Sequence, residues 1–205
     1  PELAGRPVIV GGRGDPTERG VVATASYEAR AYGVGSGMPL RLAARKCPDA
    51  VFLPVDKDAY EAASQQVMAA LRGLVWGGVP VVVEVLGWDE AFLAAGPGHG
   101  ELGDPSAFAE QIRAGVLAAT DLHCSVGVGD NKLRAKIATE FGKPQGVGRL
   151  TADDWDAVMG ERPTDALWGI GRKTAQKLAA LGIDTVAQLG AADARVLAAE
   201  LGPTM

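Results

Sequence analysis

The chain has 205 residues, 47% hydrophobic and 22% charged, with a formal net charge of −5 at pH 7. That balance excludes a disordered tail and a surface coated with basic residues for nucleic acid, and it suits one to three compact units with a sizeable core. The longest largely apolar stretches, such as residues 79–86, are far shorter than the roughly 20 residues that cross a bilayer, and no basic-then-apolar leader opens the chain, so a cytoplasmic protein with no membrane association is expected. Cys47 and Cys124 are too few for a disulfide framework or a zinc site and read as buried free thiols.

Residues 1–54 are rich in glycine and small side chains. A strand over residues 7–10, a Gly-Gly-Arg-Gly-Asp-Pro turn over 11–16 and a strand over 21–25 precede short helices around 26–32 and 39–47. Thr24, Tyr27 and Arg30 recur every third residue across the strand-to-helix junction, which sets a hydroxyl, a phenol and a guanidinium along one side of the helix start. Such groups suit a polyphosphate, because arginine clasps phosphate oxygens bidentately and hydroxyls add neutral donors. The plainer alternative is a tyrosine and an arginine that pack and solvate a surface helix.

Residues 55–148 read as helix 58–72, strand 81–86, strand 91–94, helix 105–120, strand 122–128 and helix 131–141, an α+β sandwich. Asp89-Glu90 follows the apolar run 81–86 directly. Two adjacent carboxylates at the edge of a buried strand cost desolvation energy unless a cation neutralises them, which argues for a divalent metal and phosphoryl chemistry. In a turn the same pair merely solvates a loop or caps a helix. Downstream, Lys132, Arg134, Lys136, Lys143 and Arg149 face the single acid Glu140, a stripe able to meet phosphates. Leu133, Ile137 and Phe141 make an apolar stripe while Lys132 and Lys136 share another face, so part of this basicity is that of any amphipathic helix. His99, in a Gly-Pro-Gly-His-Gly loop, and His123, in a strand, read as surface and packing residues.

Residues 149–205 read as short helices over 151–159, 172–181 and 191–201. Leu167-Trp168-Gly169-Ile170-Gly171-Arg172-Lys173-Thr174-Ala175 reads as helix, glycine hairpin, helix. Gly169 and Gly171 allow a sharp turn and a close approach, the N–H groups opening the next helix attract a phosphate, and Arg172 and Lys173 add charge. The segment resembles the helix-hairpin-helix element that grips a DNA backbone without reading its sequence; alone, it also fits a plain αα-hairpin.

Taken in order, residues 22–30, Gly37-Met38-Pro39, Asp89-Glu90-Ala91-Phe92-Leu93, Ser125-Val126-Gly127, Asn131-Lys132, residues 135–138, Gly142-Lys143-Pro144 and Leu167-Trp168-Gly169-Ile170-Gly171 resemble the Y-family translesion DNA polymerases of the DinB type. Gly87-Trp88 and the Asp-Pro-Thr turn at 15–17 most resemble an actinobacterial branch, although Gly87-Trp88 departs from the Ser-hydrophobic pair commoner before the Asp-Glu. The resemblance implies an α+β polymerase core with small fingers (1–54), an α+β palm (55–148) and a helical thumb with the helix-hairpin-helix (149–205). It implies that Asp89 and Glu90 are catalytic carboxylates binding Mg²⁺, two ions in the intact enzyme, and that Thr24, Tyr27, Arg30 and Lys143 hold the dNTP triphosphate. Ala23 and the Gly37-Met38 corner would lie over the nascent base pair, and Gly169, Gly171, Arg172 and Lys173 would meet primer-template DNA.

The reaction implied is attack of a primer 3′-hydroxyl on the α-phosphate during lesion bypass. The resemblance further implies a palm strand with another metal-binding Asp and a sugar-screening residue before Pro1, and a little finger with any sliding-clamp peptide after Met205. The 205-residue stretch alone is therefore expected to polymerise poorly or not at all. Asp56, Asp58 and Asp130 fit helix-start or turn roles rather than that further ligand. The alternative is a naturally shortened, non-catalytic DNA-binding or regulatory protein.

Overall fold

A computed structural model describes residues 2–202; Pro1 and residues 203–205, which the resemblance sets beside further segments, lie outside the described residues. The fold is mixed α+β and divides into two compact units, Pro1–Ala62 and Ala63–Met205.

The first unit contains β1 (Val8–Gly11), β2 (Val22–Ala25), α1 (Tyr27–Arg30), α2 (Leu40–Lys46) and β3 (Val51–Leu53). Its sheet has the order β2-β1-β3, with β1 antiparallel to β2 and parallel to β3. The core gathers Ile9, Val22, Ala25, Ala29, Val34, Leu40, Ala43 and Cys47. Ser26 caps α1 by accepting from the Ala29 N–H, and the same hydroxyl accepts from Val8 N–H at 3.0 Å, which ties the helix start to the central strand. Strand β3 has no counterpart in the sequence reading, because three residues are too few to display an alternating pattern. Cys47 is buried and Cys124 half-buried; both are free thiols, and burial pushes both thiol pKa values up.

Helix α3 (Lys57–Arg72) begins in the first unit and continues into the second. There follow the short hairpin β4 (Val75–Trp76) and β5 (Val79–Pro80), the antiparallel pair β6 (Val82–Val85) and β7 (Ala91–Ala94), and α4 (Pro105–Thr120). Asp104 caps α4 and Pro105 occupies its first turn, the position where a missing N–H costs nothing. Met68, Leu71, Val81, Phe108, Ile112 and Val116 form the core here. Trp76 stacks on Phe108 with centroids 4.7 Å apart and donates its indole N–H to the Leu102 carbonyl at 2.6 Å.

The single sandwich sheet expected over residues 55–148 is not found: among the described residues the strands of this unit pair only two by two. The hairpin β4–β5 has no counterpart in the sequence reading, because two residues a strand show no alternation. The strand expected over 122–128 forms only at β8 (Val126–Gly129), and His123 lies exposed in the irregular stretch before it rather than packed in a strand.

β8, α5 (Lys132–Gly142) and β9 (Val147–Leu150) make a βαβ unit with the two strands parallel. The helix lies directly on strand backbone: a Cβ built at Gly148 would stand 1.9 Å from the Ala138 carbonyl oxygen, and one at Gly127 would stand 2.0 Å from that of Ala135. This close approach explains why α5 buries its small-residue face. Ile137, Ala138 and Gly142 are buried, whereas Leu133 and Phe141, expected on the apolar stripe, are exposed. Phe141 instead lies under the Arg162 guanidinium, 4.9 Å from its ring centroid.

Beyond β9 come α6 (Ala152–Met159), a 3₁₀ turn at Thr164–Ala166, α7 (Arg172–Ala180), α8 (Val186–Ala191) and α9 (Ala194–Leu201). The helix expected over 191–201 forms as α9 from Ala194, because Ala192 is extended and Asp193 caps the start, and α8 before it is a separate helix. The helix expected before the glycine turn is only the 3₁₀ turn. Ile137, Ala138, Leu150, Met159 and Val186 share one core. Leu150 is fully buried at its centre, so Leu150→Ala should destabilise the chain by about 2–5 kcal/mol, read as a lowered urea midpoint. No described helix is long and apolar enough to cross a membrane.

Candidate active site

Asp89 and Glu90 stand in the turn that joins β6 to β7. The Leu86 and Gly87 N–H groups donate to the Glu90 carbonyl at 2.9 and 3.2 Å and close it. Both carboxylates are exposed, and β6 itself has only Val83 half-buried. The desolvation premise for a metal therefore fails at this position, since water solvates the pair; what remains is an accessible pair of hard oxygen donors.

The hairpin has two faces. Val83 and Leu93, a cross-strand pair, turn toward the α3–α4 core, while Glu84 pairs with Phe92 on the other side. On that side Lys132 Nζ meets Glu84 Oε2 at 2.5 Å and lies 5.7 Å from the Phe92 ring centroid. Lys136, one turn along α5, ends on Glu90. Trp168 meets Phe92 edge to face at 6.3 Å, which brings the segment before the glycine turn against the hairpin that carries the acids.

The basic stripe is mostly neutralised in place. Arg134 binds Asp130 at 2.7 Å and lies over Trp155, and Lys143 binds Glu140 at 2.5 Å. Asp130 also accepts from the Ala152 N–H at 2.8 Å; the Arg134 hydrogen bond, with help from that N–H, holds its carboxyl below the usual range. Asp130 thus joins the starts of α5 and α6, a structural task in keeping with the turn role expected of it.

Two carboxylates fit Mg²⁺ in donor chemistry, since that ion takes oxygen ligands and keeps several waters. The fit is partial, because among the described residues no three His, Cys, Asp or Glu side chains gather as a metal-binding group.

In the first unit, Thr24, Tyr27 and Arg30 are all exposed. Arg30 Nε donates to the Ala25 carbonyl at 2.9 Å, and its guanidinium lies 5.3 Å from the Tyr27 ring centroid. The structure thus brings Tyr27 and Arg30 together and pre-orients the guanidinium. Ala23 is exposed on β2, with its carbonyl accepting from the Ser36 hydroxyl at 2.9 Å. Gly37 and Met38 adjoin it, since Gly37 N–H donates to the Val22 carbonyl and Met38 accepts from the Val22 N–H, each at 2.8 Å.

At the glycine turn only Gly169 has a left-handed backbone, φ +97°; Gly171 is the extended N-cap of α7, with no side-chain cap on the helix start. Arg172 and Lys173 open that helix and are exposed. In the sequence, Lys136 stands in the basic stripe and Glu84 inside an apolar run, with no sign that either ends in an ion pair across the fold. Their spacing on α5 showed that Lys132 and Lys136 share a face, but nothing local indicated what that face meets.

The chain belongs to the impB/mucB/samB family, which residues 1–140 match. It is 58% identical over 204 residues to DNA polymerase IV 2 of Mycobacterium tuberculosis and 42% identical over 205 residues to DNA polymerase IV 2 of Methanosarcina mazei. These alignments cover 99% and 98% of this chain but 57% and 54% of the relatives, so the chain spans little more than half their length. Among solved structures, DinB from Sulfolobus solfataricus matches with a TM-score of 0.83 and 31% identity, over 100% of this chain and 58% of that one. An insertion ternary complex of Dbh DNA polymerase matches equally well over 98% of this chain and 58% of its own. The resemblance to Y-family DinB polymerases and the α+β class are thereby borne out.

Proposed function

We propose that this chain forms part of a template-directed DNA polymerase of the Y family, transferring nucleotidyl groups from dNTPs to a primer 3′-hydroxyl during lesion bypass. The observation that carries the reading is the exposed Asp89-Glu90 turn, an accessible carboxylate pair on a fold that overlays Dbh. Asp89 and Glu90 would hold the divalent ion, which supplies charge neutralisation at the phosphates undergoing displacement. Arg30, pre-oriented by the Ala25 carbonyl and the Tyr27 ring, would bind triphosphate with Thr24 and Tyr27. Lys143 would bind phosphate by exchanging Glu140 for it, a small cost for an exposed pair. Ala23, Gly37 and Met38 would bound the nascent base pair with little steric bulk.

In this reading residues 1–54 act as fingers, 55–148 as palm and 149–205 as thumb. The start of α7 grips the DNA backbone through free N–H groups, Arg172 and Lys173, as a helix-hairpin-helix does. Arg172→Ala and Lys173→Ala should each weaken duplex binding for all sequences alike and lower the slope of log affinity against log salt by about one. An unchanged slope would remove these residues from the DNA contact.

A further inference from the structure

Lys132 and Lys136 leave one face of α5 four residues apart, and both end on carboxylates of the β6–β7 hairpin. Their settings differ. The Lys132–Glu84 side chains are 58% and 56% exposed, whereas Lys136 is only 21% exposed against Glu90 at 44%. The first is an ordinary surface pair. In the second, the lysine side chain is largely covered along its length and engages one member of an adjacent carboxylate pair. The other member, Asp89, has no ion pair or side-chain hydrogen bond among the described residues. A divalent ion arriving at the hairpin tip therefore meets one open carboxylate and one already held by a fixed positive charge.

We propose that Lys136 is a positioning residue for Glu90: it holds the carboxylate as a resident cation and lowers the affinity of the Asp89-Glu90 pair for a divalent ion. The inference rests on reading that pair as ion-binding. Binding then becomes an exchange in which Glu90 shifts from ammonium to metal, or an addition opposed by a like charge; either way the lysine weakens it. Lys136 also keeps the side chain of Glu90 on the α5 side of the hairpin, which limits the rotamers it samples before an ion arrives.

The test is a titration of the 205-residue chain with Mn²⁺ alone, with free ion read by electron paramagnetic resonance. Lys136→Met should tighten binding roughly two- to fivefold, the range expected for removing one partner of a partly exposed pair. Lys136→Arg should restore the weaker binding. Lys132→Met, an equal loss of charge four residues away, should change it less. The gain from Lys136→Met should vanish when Glu90→Gln is also present. If Mn²⁺ binds and depends on Glu90, yet Lys136→Met tightens it no more than Lys132→Met, the role of Lys136 is overturned and the ion site stands. If neither Glu90→Gln nor Asp89→Asn alters Mn²⁺ binding in either background, the ion site itself falls, and this inference with it.

Discussion

Gly148→Ala is expected to destabilise the chain by about 3 kcal/mol or more, at or beyond the upper end of ordinary overpacking. The added Cβ would stand 1.9 Å from the Ala138 carbonyl oxygen and 3.1 Å from the Gly142 nitrogen. Both are helix backbone atoms, so no rotamer change relieves the clash; α5 has to lift off β9 or the strand has to shift in its pairing with β8. Ile137 and Ala138 would lose contact with the core they share with Leu150. Gly190→Ala makes the matched control. Gly190 lies inside α8 with nothing within 4 Å of an added Cβ, so the same methyl should be neutral or stabilise by up to about 1 kcal/mol through helix propensity. Urea denaturation of both variants separates the two cases, and equal midpoints would mean that α5 does not sit as close to the strands as described.

Asp89→Ala should have the largest effect on chemistry with almost none on folding. In primer extension by a polymerase of the relatives' full length carrying this stretch, the rate is expected to fall by about 10²-fold or more, the scale at which loss of a group that stabilises developing charge is felt. Because Asp89 is exposed and makes no side-chain hydrogen bond among the described residues, stability should change by no more than about 0.5 kcal/mol. A loss of activity that tracks a loss of stability would place Asp89 in the fold rather than in the chemistry. Full activity in a normally folded variant would end the proposed role of the pair.

What was legible in the sequence follows from how local each signal is. Helix α4 is read to the residue, since Asp104 and Pro105 mark its start and its apolar spacing runs on to Thr120. Helix α8 has no counterpart in the sequence reading, its six residues including Gly190 and only one buried side chain, Val186. Strand β9, Val-Gly-Arg-Leu, escaped because its two buried positions are a glycine and a leucine and its partner lies across a whole helix. The run at residues 81–86 looks like a buried strand, yet burial depends on what covers it, and the hairpin leaves Val82, Val85 and Leu86 exposed. The site was legible as residue types but not as partnerships: Lys132 reaches Glu84 across 48 positions and Lys136 reaches Glu90 across 46. No window-sized pattern carries information about such pairs.

Trp88, half-exposed at the tip of the hairpin and adjacent to Asp89, gives that tip an optical label of its own. The other three indoles sit in distinguishable surroundings: Trp76 is stacked on Phe108, Trp155 lies beneath Arg134 and Trp168 rests against Phe92. With Trp168, exposed to the same degree, replaced by phenylalanine, light emitted by Trp88 reports on events beside Asp89. A positively charged quencher, drawn by the neighbouring carboxylate, reaches it more readily than a negatively charged one of the same size.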